Sequence, residues 1–167
     1  FRQEGIRPIV YPFSPKGSDE RQYSSPGFRI PVATITKDKY YEYPEYHTSL
    51  DNLDFVSGRQ LAQSFQIYKE VINILDSNRS IQSRCPKGEP HLGRYGLYPT
   101  LGGSIEQASM DNIDQEKINK QIDVMNWALF LADGENDLVD LAEHANCSFE
   151  ESMNTADILS NAGILLS

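Results

Sequence analysis

Apolar residues along this chain change their period twice, and the changes divide it. Ile6 to Phe13 is apolar and β-prone but broken by Pro8 and Pro12, which predicts an edge strand or a strand end. Gly27 to Lys37 carries Phe28, Ile30, Val32, Ala33 and Ile35 at a mostly two-residue period, predicting a second strand with Pro31 near its start. From Ser57 the period lengthens. Leu61, Phe65, Tyr68, Ile72 and Leu75 step by four, three, four and three, one face of a helix capped by Ser57 and ending near Asn78. A stretch rich in Gly, Pro and polar residues follows from Arg79 to Asp111, in which Leu92, Tyr95, Leu97 and Tyr98 suggest a segment packed on a domain. Helical spacing then returns: Asp114 to Leu131 through Ile118, Ile122, Met125 and Leu129, and Asp137 to His144 through Leu138, Leu141 and Ala142. After a turn at Asn146-Cys147, Ser148 caps a last helix to about Asn161 through Phe149, Met153, Ala156 and Leu159. Gly134 ends the first of these helices and Gly163 the last.

Composition adds little until charge is mapped. With 167 residues, 39% hydrophobic and 23% charged, the chain fits one sizeable core or two small ones. No apolar run approaches the roughly 20 residues that span a bilayer, so no membrane partner is expected. The start, Phe1-Arg2-Gln3-Glu4-Gly5, has no signal-peptide h-region and no initiator methionine, and reads as the inside of a longer polypeptide. Cys85 and Cys147 lack metal-ligand spacing and read as free thiols of a cytoplasmic protein, with a disulfide left open. The net charge of −9 is the informative number. From Asp123 onward there are nine acidic residues and no Lys or Arg, leaving 15 acidic and all 15 basic residues before it. The formal charge belongs entirely to the C-terminal segment.

Candidate chemistry gathers in two loops. The first reads Gly17-Ser18-Asp19-Glu20-Arg21-Gln22-Tyr23; the second runs unbroken as Tyr43-Pro44-Glu45-Tyr46-His47-Thr48-Ser49-Leu50-Asp51. Neutral imidazole is the commonest metal ligand, and His47 sits among Tyr40, Tyr41, Tyr43 and Tyr46. These two motifs resemble the end of the catalytic domain of co-catalytic zinc aminopeptidases. The closer resemblance is to bacterial aminopeptidase-like proteins that end in a winged-helix domain, which also share the Gly88–Pro99 stretch. The resemblance runs from Gly5 to the end but covers only the last third to half of such a parent. It implies an α/β fold: a partial zinc-aminopeptidase-like sheet domain over 1–80, a connecting segment packed on the domain over 81–113, and a small all-α winged-helix-like domain over 114–167. The final Asn161-Ala162-Gly163-Ile164-Leu165 suits a winged helix with a short or absent wing.

By the same resemblance His47 is the last zinc ligand and zinc the cofactor. On the residue alone, a loop histidine bonded to a neighbouring carboxylate is the commoner fate, since zinc needs several ligands; the matched motif reverses that preference. Asp51 either orients the imidazole through its second nitrogen or serves as a turn or cap residue. Asp19, Glu20 and Arg21 support the site or bind substrate, or else form a surface ion cluster of little energetic weight. Glu20 stands where the zinc aminopeptidases have a histidine, which leaves its role open. Tyr46 and the tyrosines beside it wall a specificity pocket or clamp a long loop.

Two-metal hydrolysis also needs a bridging carboxylate and a general base. Nothing from Phe1 to Tyr46 resembles the segments that supply them, so the catalytic base is expected outside this chain, and the chain alone is expected to be inactive. The expected function is therefore a fragment of a zinc-dependent aminopeptidase-like hydrolase acting on a peptide or amide substrate. The alternative is a degenerate peptidase scaffold serving as an interaction module. The expected partners are the rest of its own chain and a further copy of itself as a homo-oligomer. A DNA-binding regulator is disfavoured: phosphate contacts supply most non-specific affinity, and Ser148 to Asn161 holds Glu150, Glu151 and Asp157 with no basic residue.

Overall fold

The computed structural model describes residues 7–97 and 112–166. Ile6, at the head of the first expected strand, and 98–111, which include Tyr98 and Pro99 of the shared stretch, lie outside them. The chain divides into two compact units, Phe1–Asn73 and Ile74–Ser167.

In the first unit the helices are α1, Glu20–Tyr23, and α2, which starts at Gly58 and runs to Ser77, past the division. Ser57 caps α2 as its sequence predicts. Its hydroxyl accepts from the Gln60 N–H at 3.3 Å, and the Gln60 side chain accepts from the Ser57 N–H at 3.3 Å. The expected apolar stripe is present but faces solvent, with Leu61 63% and Phe65 65% exposed. The two expected strands do not form: residues 7–13 and 28–36 make no ladder among the described residues. Their physical difficulty is the missing partner. Pro8, Pro12 and Pro31 remove donors, and Ile9, Val10, Phe13, Phe28 and Ile30 stay exposed with no second strand beside them. What anchors the second segment is Tyr68 of α2, whose hydroxyl donates to the Ile35 carbonyl at 2.9 Å and accepts from its N–H at 3.3 Å.

The second unit is a closed core. It contains β1, Ser80–Gln82; a 3₁₀ turn, Leu92–Tyr95; α3, Asn112–Leu131; β2, Asp133–Asp137; α4, Leu138–His144; and α5, Phe149–Asn161. The antiparallel pair β1–β2 matches Ser80 to Asp137 and Gln82 to Asp133 across an irregular register, adding a short sheet to the three expected helices. Ser83 bridges Leu165 on the other side. Capping boxes open both α4 and α5: the Asp137 carboxylate accepts from the Val139 and Asp140 N–H groups, and the Ser148 hydroxyl accepts from the Glu151 N–H. Asn146 (φ +48°) and Gly163 (φ +74°) turn the chain after α4 and α5.

Leu138, Leu141 and Leu159 fill the interior with Ala128, Ala156 and Ile164. Ile81 and Leu92, from the stretch expected to connect two domains, lie in this same core. The buried stripe of α3 is offset from the expected one: Val124, Met125, Ala128 and Leu131 point inward, while Ile118, Ile122 and Leu129 are only half-buried. Ser152, fully buried, donates to the carbonyls of Leu138 (3.0 Å) and Phe149 (2.8 Å), which satisfies its hydroxyl inside the core.

Candidate metal-ligand loop

His47 is carried by a run of tight turns rather than by a strand end. The N–H of Tyr46 donates to the Tyr43 carbonyl (3.3 Å), that of Thr48 to Glu45 (3.1 Å) and that of Asp51 to Thr48 (3.2 Å). The Thr48 hydroxyl reinforces this by donating to the Glu45 carbonyl at 2.8 Å and accepting from the Leu50 N–H at 3.2 Å. Within the run His47 takes a left-handed backbone, φ +58°, which a non-glycine residue holds only when its surroundings enforce it. Its imidazole is exposed and stacks on the Tyr46 ring, with 4.1 Å between centroids and 11° between planes. Tyr46 in turn meets Tyr41 at 4.8 Å, Tyr43 at 5.5 Å and Tyr40 at 6.4 Å. Tyr43 also stacks on Phe55.

The first motif loop joins this platform through Glu20. The Tyr40 hydroxyl donates to the Glu20 carboxylate at 2.8 Å. That bond holds the Glu20 carboxyl below its ordinary range and pushes the Tyr40 phenol up, so both directions agree on a carboxylate accepting from a neutral phenol. Gly17 makes room for it: a Cβ there would lie 1.8 Å from the Glu20 carboxylate oxygen. Asp19 and Arg21 are exposed, Asp19 at the cap of α1 with its carbonyl accepting from Gln22 and Arg21 in its last turn. Asp51 is exposed in the turn closed on Thr48, and among the described residues no hydrogen bond joins its carboxylate to His47. The structure therefore ties Glu20 and Tyr46 to the His47 loop and leaves Asp19, Arg21 and Asp51 exposed. An open cleft of about 760 Å³ lies beside the platform, lined by Tyr11, Phe13, Lys16, Lys39, Tyr40 and Tyr41 among others. Lys39 pairs with Glu42 and sits 4.3 Å from the centre of the Tyr11 ring. Sequence spacing carried no sign of the Glu20–Tyr40 bond. The one available hint was a glycine three residues before a glutamate, where only a glycine leaves space for the returning side chain.

No group of three or more His, Cys, Asp or Glu able to hold a metal ion occurs among the described residues. His47 supplies a single imidazole outside any such group. No helix among the described residues is long and apolar enough to cross a membrane.

Residues 79–167 match the winged helix-turn-helix family, and the chain belongs to that family through this half. Residues 1–78 match a domain of unknown function, DUF4910. Over 161 residues the chain is 36% identical to a Clostridium acetobutylicum protein named "Putative polysaccharide biosynthesis protein with aminopeptidase-like domain", a match covering 96% of this chain and 34% of that protein. The crystal structure of a "putative peptidase" from Clostridium acetobutylicum superposes with a TM-score of 0.68 at 34% identity, covering 92% of this chain and 30% of that one. The chain therefore spans about a third of the length of the relatives it matches. Its architecture is a peptidase-like scaffold portion followed by a winged-helix domain.

Proposed function

We propose that this chain is the closing part of a zinc-dependent aminopeptidase-like hydrolase, with His47 donating one imidazole to a zinc site whose other ligands and general base come from outside the described residues. The observation that carries the reading is the His47 loop itself. An exposed histidine is held in a left-handed backbone and braced against a tyrosine ring, inside a motif shared with that enzyme class. Zinc, when bound, would polarise the substrate carbonyl and activate a water. This chain's own contribution is positional: Tyr46 orients the imidazole plane, and the cleft edged by Tyr11, Phe13 and Tyr40 offers an apolar wall for the substrate side chain. The winged-helix domain is read as a docking module and not a DNA reader. Glu150 and Asp157 are exposed on α5, and the cations that approach that helix, Arg79 and Lys120, are already paired with Asp157 and Glu151.

Elemental analysis of the full-length protein and its His47→Ala variant tests this. Zinc should be bound in the parent protein, one tight position should be lost in the variant, and the fold should persist because His47 is exposed. Zinc bound elsewhere, with no anomalous signal within about 2.1 Å of His47, overturns the assignment. A protein holding no metal at all favours the reading as a non-catalytic binding scaffold.

A further inference from the structure

The site already described leaves Glu20 unexplained, since it occupies a motif position where related enzymes carry a histidine and yet points at no candidate ligand. Its surroundings are specific. Glu20 is half-buried, and its carboxylate fills the space above Gly17, the buried residue of its loop, so closely that a Cβ there would displace it. It accepts from Tyr40 at 2.8 Å across 20 positions of sequence. Tyr40 packs edge-on against Tyr41 at 5.7 Å and faces Tyr46 at 6.4 Å, and Tyr46 carries the His47 ring. Two backbone positions in this chain of contacts, Tyr41 (φ +70°) and His47 (φ +58°), are left-handed without being glycine. Such conformations persist only where the surroundings over-determine them; here those surroundings are the turn hydrogen bonds at Thr48 and the tyrosine cluster, which the Glu20–Tyr40 bond ties to the first loop.

We propose that Glu20 is a positioning residue for His47, its carboxylate pinning the Tyr40 hydroxyl so that the Tyr41–Tyr46 platform sets the plane and direction of the imidazole. The first motif loop acts on the second through one hydrogen bond, and Gly17 belongs to the device because it admits the carboxylate. The lowered pKa of Glu20 and the raised pKa of Tyr40 are the mark of that bond. Its functional meaning rests on reading His47 as a metal ligand; the positional claim rests on the contacts above.

The test uses the full-length protein with selectively labelled histidine, the His47 ring resonances being identified by their loss in His47→Ala. Stacking on Tyr46 displaces these ring protons from their free values. Glu20→Ala and Tyr40→Phe should both return them toward free values; Tyr40→Phe removes a single oxygen and keeps the ring. Gly17→Ala should do the same by evicting the carboxylate. Glu20→Gln retains an acceptor oxygen and should restore the native shift. Zinc retention against a chelator should fall about 10–100-fold in Glu20→Ala, the range seen when a ligand's outer partner is lost, and recover in Glu20→Gln. Unmoved His47 resonances in Tyr40→Phe and Glu20→Ala overturn the proposal, as does a Glu20→Gln variant that behaves like Glu20→Ala. The two readings separate cleanly: moved resonances without zinc at His47 refute the metal assignment alone, and zinc at His47 with unmoved resonances refutes the positioning role alone.

Discussion

Two leucine-to-alanine substitutions on helices of similar apolar pattern should differ by an order of magnitude in consequence. Leu159 lies in α5 at 0% exposure, among Leu138, Leu141 and Ala128, which are equally buried. Leu61 lies on the apolar stripe of α2 at 63% exposure. Truncating a buried leucine removes its transfer free energy and leaves a cavity, costing about 2–5 kcal/mol, with larger values where neighbours cannot collapse. The backbone around Leu159 is pinned, since its carbonyl accepts from the N–H groups of Ile164 (2.9 Å) and Leu165 (3.3 Å), so the upper half of that range is expected. An exposed substitution falls within about 0.5 kcal/mol. The assay is urea unfolding followed through Trp127, the sole tryptophan, which packs against the core of the second unit and so reports on it selectively. With a slope of about 1–3 kcal/mol/M for a small unit, Leu159→Ala should lower the midpoint by at least about 1 M, and Leu61→Ala should leave it in place. A shift below about 0.3 M for Leu159→Ala, or equal shifts for the two variants, refutes the assignment of the core.

Removing the caps should cost less but measurably: Asp137→Ala and Ser148→Ala each lose a capping box and should destabilise the second unit by about 0.5–2 kcal/mol in the same assay. Acid should weaken this unit. Asp133 is held low by the Asn136 and Glu135 N–H groups and Glu151 by Lys120; for Asp137 burial pushes upward, but hydrogen bonds from Asp140, Asn78 and Val139 outweigh it and leave a net lowering. Carboxyls with depressed folded values stabilise fully above their unfolded pKa, about 3.9 for Asp and 4.3 for Glu, and lose that contribution as pH falls through the lower folded values. Thermal melts should therefore be flat from neutral pH to about 5 and fall below about 4; a rise in melting temperature over that acid range refutes the assignment. Duplex DNA should show no binding at physiological salt, and a salt-dependent dissociation constant of micromolar or tighter in a fluorescence anisotropy titration contradicts the docking-module reading.

Helices α2 and α5 were legible because each carried both a period and a cap, at Ser57 and Ser148, whereas the four-residue α1 is too short to show a period. The face of α3 was read one step off because Ile and Leu dominate a pattern count while Ala128, at 0% exposure, does not. The apolar run around Ile9 and the alternating segment around Ile30 are β-prone, yet a strand exists only where a neighbour supplies its hydrogen bonds. Alternation cannot say whether that neighbour lies within reach. The opposite held for β2: Asp133-Gly134-Glu135-Asn136-Asp137 has no strand propensity, and its pairing with Ser80–Gln82 comes from tertiary closure. In the candidate site, the motif drew attention to His47, whereas the Glu20–Tyr40 bond links two loops whose approach no local spacing records.

The bridge between Ser83 and Leu165 sets an order of events during synthesis. At about 5–20 residues per second, Ile81 leaves the ribosome some 4–16 seconds before the segment that completes its sheet. Until then the strand has only β2 beside it, and the nascent winged-helix domain cannot close its core however early its helices form. Closure of this core therefore waits on Ile164 to Leu166, whose backbone meets Arg84 and Gln82 at 2.8 Å each. A ribosome stalled just short of them would hold a chain with formed helices and an open, protease-sensitive interior.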